Sequence, residues 1–224
     1  MIRALIFDFD GLILDTEKPD YDIWCDIYRE YDCELPLDRY LNIIGTSLEQ
    51  AGFVPFEHLV ELTGLDLDRA EVEGRAHAGR LALIDAQPVL PGVEAHIQEA
   101  RARGLKLAVA SSSPLAWVER HLRRVGLFDC FDAIITSDDV ERVKPAPDLF
   151  EAALAALGVA PEEAIVYEDS AHGIEAARAA GIYAVAVPNF LTRHVDLSRA
   201  NVQISSLADV TLGDLLSGIT NGKR

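Results

Sequence analysis

Cysteine is scarce in this 224-residue chain: Cys25, Cys33 and Cys130 are the whole complement, an odd number without metal-ligand spacing. A disulfide framework is therefore not expected, and a reducing, cytoplasmic compartment is. Positive charge is also short, with 20 Lys and Arg against 37 Asp and Glu, a formal charge of −17 and no basic block. That argues against nucleic acid and against anionic membrane surfaces as partners. No uncharged apolar run is long enough to span a bilayer. Asp8 and Asp10 interrupt the one N-terminal apolar stretch, so no signal peptide is expected. Internal repeats and low-complexity tracts are missing as well. What remains is a chain with 50% hydrophobic residues, able to build a sizeable core. The expectation is a soluble monomer or weak dimer. If its ligand is an anion, the attraction has to be local.

The informative stretch lies at the start. Ala4–Phe7 is a short apolar run that reads as a strand buried on both faces. Asp8 and Asp10 follow at its carboxyl end, and Gly11 lets the backbone turn away. Two carboxylates about 4 Å apart repel by about 4 kcal/mol at an effective dielectric near 20. Such a pair makes sense around a cation. A strand that merely ends in solvated acids explains one aspartate better than two.

From residue 16 to 87 the pattern is helical, with no convincing strand. Tyr21, Trp24, Cys25 and Tyr28 recur at helical spacing as an inner face. Pro36, Gly45-Thr46-Ser47, Pro55 and Gly64 punctuate what reads as a small bundle, its last helix covering about residues 67–85. From Gly92 onward helices alternate with strands. Strands are expected at 105–110, 133–135, 164–167 and 183–187, with a sixth near 203–205. Ser113 and Pro114 read as the N-cap and first residue of a helix. Alternation of this kind predicts an α/β fold, a doubly wound parallel sheet with right-handed crossovers. The expected domains are a core of residues 1–15 and 88–224 and an inserted all-helical cap of residues 16–87.

Three strands of that sheet end in chemistry: the first in Asp8 and Asp10, the second in Ser111, the fourth in Glu168 and Asp169. Lys144 lies in a proline-bounded loop between the third and fourth. Parallel strands bring their carboxyl ends to one edge, where ligands bind. Hard oxygen donors in this number select Mg²⁺, with a substrate phosphate oxygen completing the coordination. Lys144 and Ser111 supply a fixed charge and a hydrogen bond for a phosphate. Alone, Glu168-Asp169 would read as an acidic helix start, Ser111 as a cap and Lys144 as a solvated loop residue. The six histidines form no cluster and read as surface or satisfied positions.

Asp8-Phe9-Asp10-Gly11 with Asp15-Thr16, then Ser111, Lys144-Pro145, and Glu168-Asp169-Ser170 with Gly173 resemble the four motifs of the haloacid dehalogenase (HAD) superfamily. The resemblance is to its phosphatase and beta-phosphoglucomutase-like branch and covers essentially the whole chain. It implies a Rossmann-like HAD core with a helical cap and a Mg²⁺-dependent phosphatase of a small phosphorylated metabolite, such as a sugar phosphate. Asp8 would be the nucleophile forming an aspartyl-phosphate, and Asp10 the general acid and base. Asp10 would also ligate the metal through its backbone carbonyl, with Asp8, Asp169 and Glu168 completing the site. Glu17, Asp20, Thr46, Ser47 and Arg75 are candidate substrate contacts in the cap. The rival reading is a phosphomutase. The chain departs from it at Leu48, where that family's arginine is expected, and at Asp20, where its histidine is expected. A phosphate-sensing module without turnover is the alternative from outside enzymology. Receiver domains share the acidic pair and lysine but are shorter and lack the insertion.

Overall fold

The computed structural model describes residues 1–41 and 52–222. Its centre is a six-stranded, all-parallel sheet in the order β3-β2-β1-β4-β5-β6. The strands are β1 (Ala4–Phe7), β2 (Lys106–Ala110), β3 (Ala133–Ile135), β4 (Ala164–Glu168), β5 (Tyr183–Ala186) and β6 (Val202–Gln203). All four residues of β1 have zero exposure, which is what an uninterrupted apolar run predicts for a strand covered on both faces. Each fully buried leucine, isoleucine or phenylalanine there stabilises the fold by about 1.5–3 kcal/mol. Chain order reverses at β1, which pairs with β2 on one side and β4 on the other.

The ladder runs one residue past these strand ends. Asp8 N donates to Tyr167 O at 3.0 Å, and Ser111 N donates to Ile135 O at 3.0 Å. The backbone at Asp8 and Ser111 is thus fixed by the sheet itself. Beyond Asp8 the chain folds into a tight turn, in which Gly11 N donates to Leu14 O at 2.7 Å. Gly11 has φ +81°, and a Cβ on it would lie 2.5 Å from Asp169 Oδ2. Both conditions exclude any other residue without rearrangement.

By its contacts the chain divides into two compact units. One comprises Met1–Leu14, Pro88–Asn189 and Asp196–Arg224; the other comprises Asp15–Gln87 together with Phe190–Val195. Residues 190–195, read from sequence as part of the core, therefore group with the helical unit. In that unit the described helices are Lys18–Glu30, Leu37–Tyr40, Pro55–Thr63 and Arg69–Ala86. Trp24, Ile27, Tyr28, Leu59, Val72 and Ala76 form the middle of its core. Asp68 starts the last helix by accepting from Ala70 N at 2.9 Å and Glu71 N at 3.2 Å. No described helix is long and apolar enough to cross a membrane.

Several expected element ends shift by one or two residues. The sixth strand begins at Val202 rather than Gln203, and Ile204 N still donates to Ala186 O at 2.9 Å. Ser113 does not cap the helix Leu115–Arg124. Pro114, with extended ψ, holds the N-cap position, and the Asp138 carboxylate accepts from Leu115 N at 3.0 Å instead. The Ser113 hydroxyl is thereby released for another partner.

Candidate active site

Lys144 is the hub of the strand-end cluster. Its ammonium donates to Asp8 Oδ1 at 2.5 Å, to Glu168 Oε1 at 2.6 Å and to Ala110 O at 2.8 Å, which uses all three N–H bonds. These partners stand at the ends of β1, β4 and β2, so one side chain ties the three central strands together. The Lys144 side chain is 6% exposed and that of Glu168 is 0%. Burial by itself would lower the lysine's pKa, but the Asp8 and Glu168 carboxylates outweigh it and hold the group charged. Asp8 moves upward: burial is the main cause, Lys144 opposes it, and Glu168 and Asp10 add to it.

Asp8, Glu168 and Asp169 offer carboxylate oxygens that all lie within 4.8 Å of one another. Lys144 pairs with two of these three buried acids, Asp8 and Glu168, and the concentration of negative charge is one that a divalent cation would balance. The donors are hard oxygens, which fits Mg²⁺ rather than a soft metal. Within the set the carboxylates are differently committed. Glu168 Oε2 accepts from Ser170 N at 3.1 Å and Ser170 Oγ at 2.9 Å, while Oε1 takes Lys144. Both Glu168 oxygens thus already accept from protein donors. Asp169 Oδ2 accepts from Asn189 Nδ2 at 2.8 Å. Gly173 makes room for the arrangement, because a Cβ there would lie 1.8 Å from Glu168 Oε1.

The Asp10 carboxylate points elsewhere. Its Oδ2 accepts from Ser113 Oγ at 2.6 Å and Ser111 Oγ at 3.4 Å, and its Oδ1 accepts from Trp117 Nε1 at 2.9 Å. Ser111 is 1% exposed and also accepts from Ser113 N at 3.0 Å. Trp117 is set in turn by His121, whose ring lies 4.3 Å away edge-on and which is fully buried. Ser113, Trp117 and Asn189 are contacts that sequence reasoning missed. Ser113 reads as a cap, while no local pattern singles out Trp117 or Asn189, the latter following a proline.

The candidate positions in the helical unit scatter. Asp20 accepts from Tyr40 OH at 2.6 Å and lies 3.6 Å from Arg80 Nη1. Together with Trp24, His77 and Arg80 it lines a cavity of about 390 Å³. Arg75 is not in that cavity; it pairs with Glu30 on the exposed surface. Glu17 occupies the N-cap position of helix Lys18–Glu30 without a side-chain cap bond. Thr46 and Ser47, with Leu48, lie outside the described residues.

Comparison with known proteins agrees with this geometry. The family model described as haloacid dehalogenase-like hydrolase matches residues 2–181. YhcW of Bacillus subtilis (strain 168) is 42% identical over 221 residues, covering 99% of both chains. Fructose-1-phosphate phosphatase YqaB of Escherichia coli (strain K12) is 35% identical over 185 residues, covering 82% of this chain and 95% of its own. Among solved structures, CbbY from Rhodobacter sphaeroides in complex with phosphate superimposes with a TM-score of 0.71 at 29% identity, covering 96% of this chain and 99% of its own. This chain belongs to the haloacid dehalogenase-like hydrolase family and is a phosphoric monoester hydrolase.

Proposed function

We propose that the chain is a Mg²⁺-dependent phosphatase of small sugar phosphates working through an aspartyl-phosphate on Asp8. The observation that carries this is the placement of Asp8: fixed by the sheet, held by Lys144 and grouped with two further buried acids. The name of the fructose-1-phosphate phosphatase supports a sugar phosphate as substrate.

In the first step a carboxylate oxygen of Asp8 bonds to phosphorus while the bond from phosphorus to the sugar oxygen breaks. The departing oxygen takes a proton from the Asp10 carboxyl. Water then adds to the phosphorus and gives its proton to Asp10. The bond from Asp8 to phosphorus breaks, phosphate leaves, and both acids return to their starting state. Lys144 and Ser111 hold the phosphoryl oxygens, where electrostatics and positioning supply most of the rate. Asp8, Asp169 and the backbone carbonyl of Asp10 would hold the metal. When bound, Mg²⁺ supplies positive charge against the phosphoryl oxygens. Glu168 keeps Lys144 aimed at Asp8. Asp20 remains a proposed substrate contact, as do Glu17, Thr46, Ser47 and Arg75.

Two measurements bear on this reading. Chelation with EDTA is expected to abolish activity, and added Mg²⁺ to restore it. Asn189→Ala should raise the Mg²⁺ concentration for half-maximal activity about tenfold, as loss of a ligand's hydrogen-bond partner commonly does. Asp169→Ala should raise it further. The rise in thermal midpoint on adding Mg²⁺ should shrink in the same order, and full activity in chelator would overturn the metal assignment. Product analysis separates hydrolysis from isomerisation. With Mg²⁺, beta-glucose 1-phosphate and a trace of its 1,6-bisphosphate, free phosphate is expected to outpace glucose 6-phosphate. The reverse order would identify a mutase.

A further inference from the structure

Trp117 has no part in the reaction as just described, yet its only polar atom is spent on the acid–base carboxylate. The indole Nε1–H donates to Asp10 Oδ1 at 2.9 Å, across a separation of 107 residues. Asp10 Oδ2 meets hydroxyls instead, Ser113 Oγ at 2.6 Å and Ser111 Oγ at 3.4 Å. The two kinds of partner differ in what they permit. An indole N–H can only donate, so the oxygen it faces has to stay an acceptor in every step. A serine hydroxyl rotates, and can donate to a carboxylate or accept from a carboxylic acid. These partners favour a proton on Oδ2, the oxygen that faces the serine hydroxyls.

The ring itself is well placed to hold this orientation. It sits on helix Leu115–Arg124, whose Val118 and Leu122 are fully buried, and it packs edge-on against the buried His121. His121 lies in turn 6.4 Å from the Phe9 ring, beside Asp10 in the chain. The indole is therefore oriented from behind by the same core that carries the turn bearing Asp10.

We propose that Trp117 is a positioning residue for the proton transfers of Asp10: its N–H occupies Oδ1 and directs the exchangeable proton to Oδ2, with Ser113 as the adaptable partner. The inference rests on the phosphatase reading with Asp10 as acid and base. Its consequence is a dependence on the leaving group. A poor leaving group needs the proton as its bond to phosphorus breaks, whereas a good one scarcely does.

The test compares phenyl phosphate with p-nitrophenyl phosphate through kcat/KM, which reports the steps up to phosphorylation of Asp8. Two variants are used. Trp117→Phe removes the donor and some volume. Replacing Trp117 by 3-benzothienylalanine exchanges the N–H for sulfur and keeps the ring's size. In both, kcat/KM for phenyl phosphate is expected to fall about tenfold relative to that for p-nitrophenyl phosphate, a fraction of what a general acid contributes. Equal losses on the two substrates, or no loss with the isosteric replacement, would overturn the inference. A second readout is independent of turnover. In a Trp24→Phe background Trp117 is the one remaining tryptophan. Asp10→Ala should then shift its emission, and an unmoved spectrum would count against the contact. Failure of the underlying reading shows separately, as wild-type enzyme that releases no phosphate from either ester or as Asp8→Asn enzyme that still does.

Discussion

Replacing Asp8 by asparagine is expected to lower kcat by about 10⁴-fold or more, which at 1.36 kcal/mol per tenfold is a loss of about 5 kcal/mol of transition-state stabilisation. The amide is nearly isosteric with the carboxylate, so the backbone bond from Asp8 N to Tyr167 O need not change. Lys144 keeps Glu168 Oε1 and Ala110 O as acceptors. What disappears is the oxygen nucleophile. Acid-quenched wild-type protein incubated with substrate should carry one phosphoryl group on the peptide containing Asp8, and the variant none. A folded variant that turns over near the wild-type rate would remove the covalent mechanism altogether.

Lys144→Met should instead threaten the fold. The methionine fills a similar volume, but it strands the carboxylates of Asp8 and Glu168, whose side chains are 10% and 0% exposed. Removing one partner of a buried ion pair costs about 3–5 kcal/mol. For a chain of this size that corresponds to a thermal midpoint lower by about 10 °C. The sign of the pH dependence follows from Asp8, whose pKa burial raises. A raised pKa means that ionisation costs stability, so the deficit is largest at high pH and shrinks as falling pH protonates the stranded acids. Adding Asp8→Asn to Lys144→Met should recover part of the loss, because the two sites share one interaction. Thermal unfolding in EDTA, run at several pH values, reads all of this. A single variant as stable as wild type would mean that the ammonium contributes nothing net.

The sheet was legible in the sequence because its strands carry simple signatures. Ala4–Phe7 and Ala164–Tyr167 are unbroken apolar runs, and Gly and Pro punctuate the spans between them. Asp8, Glu168 and Asp169 stood out because charge at the end of a buried strand demands a reason, and Lys144, in its proline-bounded loop, only in their company. Their grouping, with Lys144 bonded to three strand ends, follows from the parallel order. The supporting contacts were not legible. Ser113 beside Pro114 carries every local mark of a helix cap, and only the tertiary position of Asp138 releases it. Nothing in the local sequence singles out Trp117, and its N–H finds Asp10 only through the fold. Asn189 reaches Asp169 across 20 residues of chain in which no pattern singles it out. Of the arginines in the last helix of that unit, Arg75 pairs with the neighbouring helix's Glu30, and Arg80, five residues further along, lines the cavity with Asp20.

The space at Gly173 ties heredity to electrostatics in an unobvious way. Any side chain there begins with a carbon 1.8 Å from Glu168 Oε1, so the glutamate or the helix has to shift. A glutamate that swings aside leaves Lys144 to hold Asp8 without its counterweight. A single-base change turning this glycine into alanine, neutral in charge and mild by any substitution table, would therefore reach the enzyme as the uncoupling of an ion pair. In a variant catalogue such a change looks benign, because the altered residue touches neither substrate nor metal. Its severity is stored in an empty volume, and an inventory of functional side chains passes over a position whose contribution is to have none.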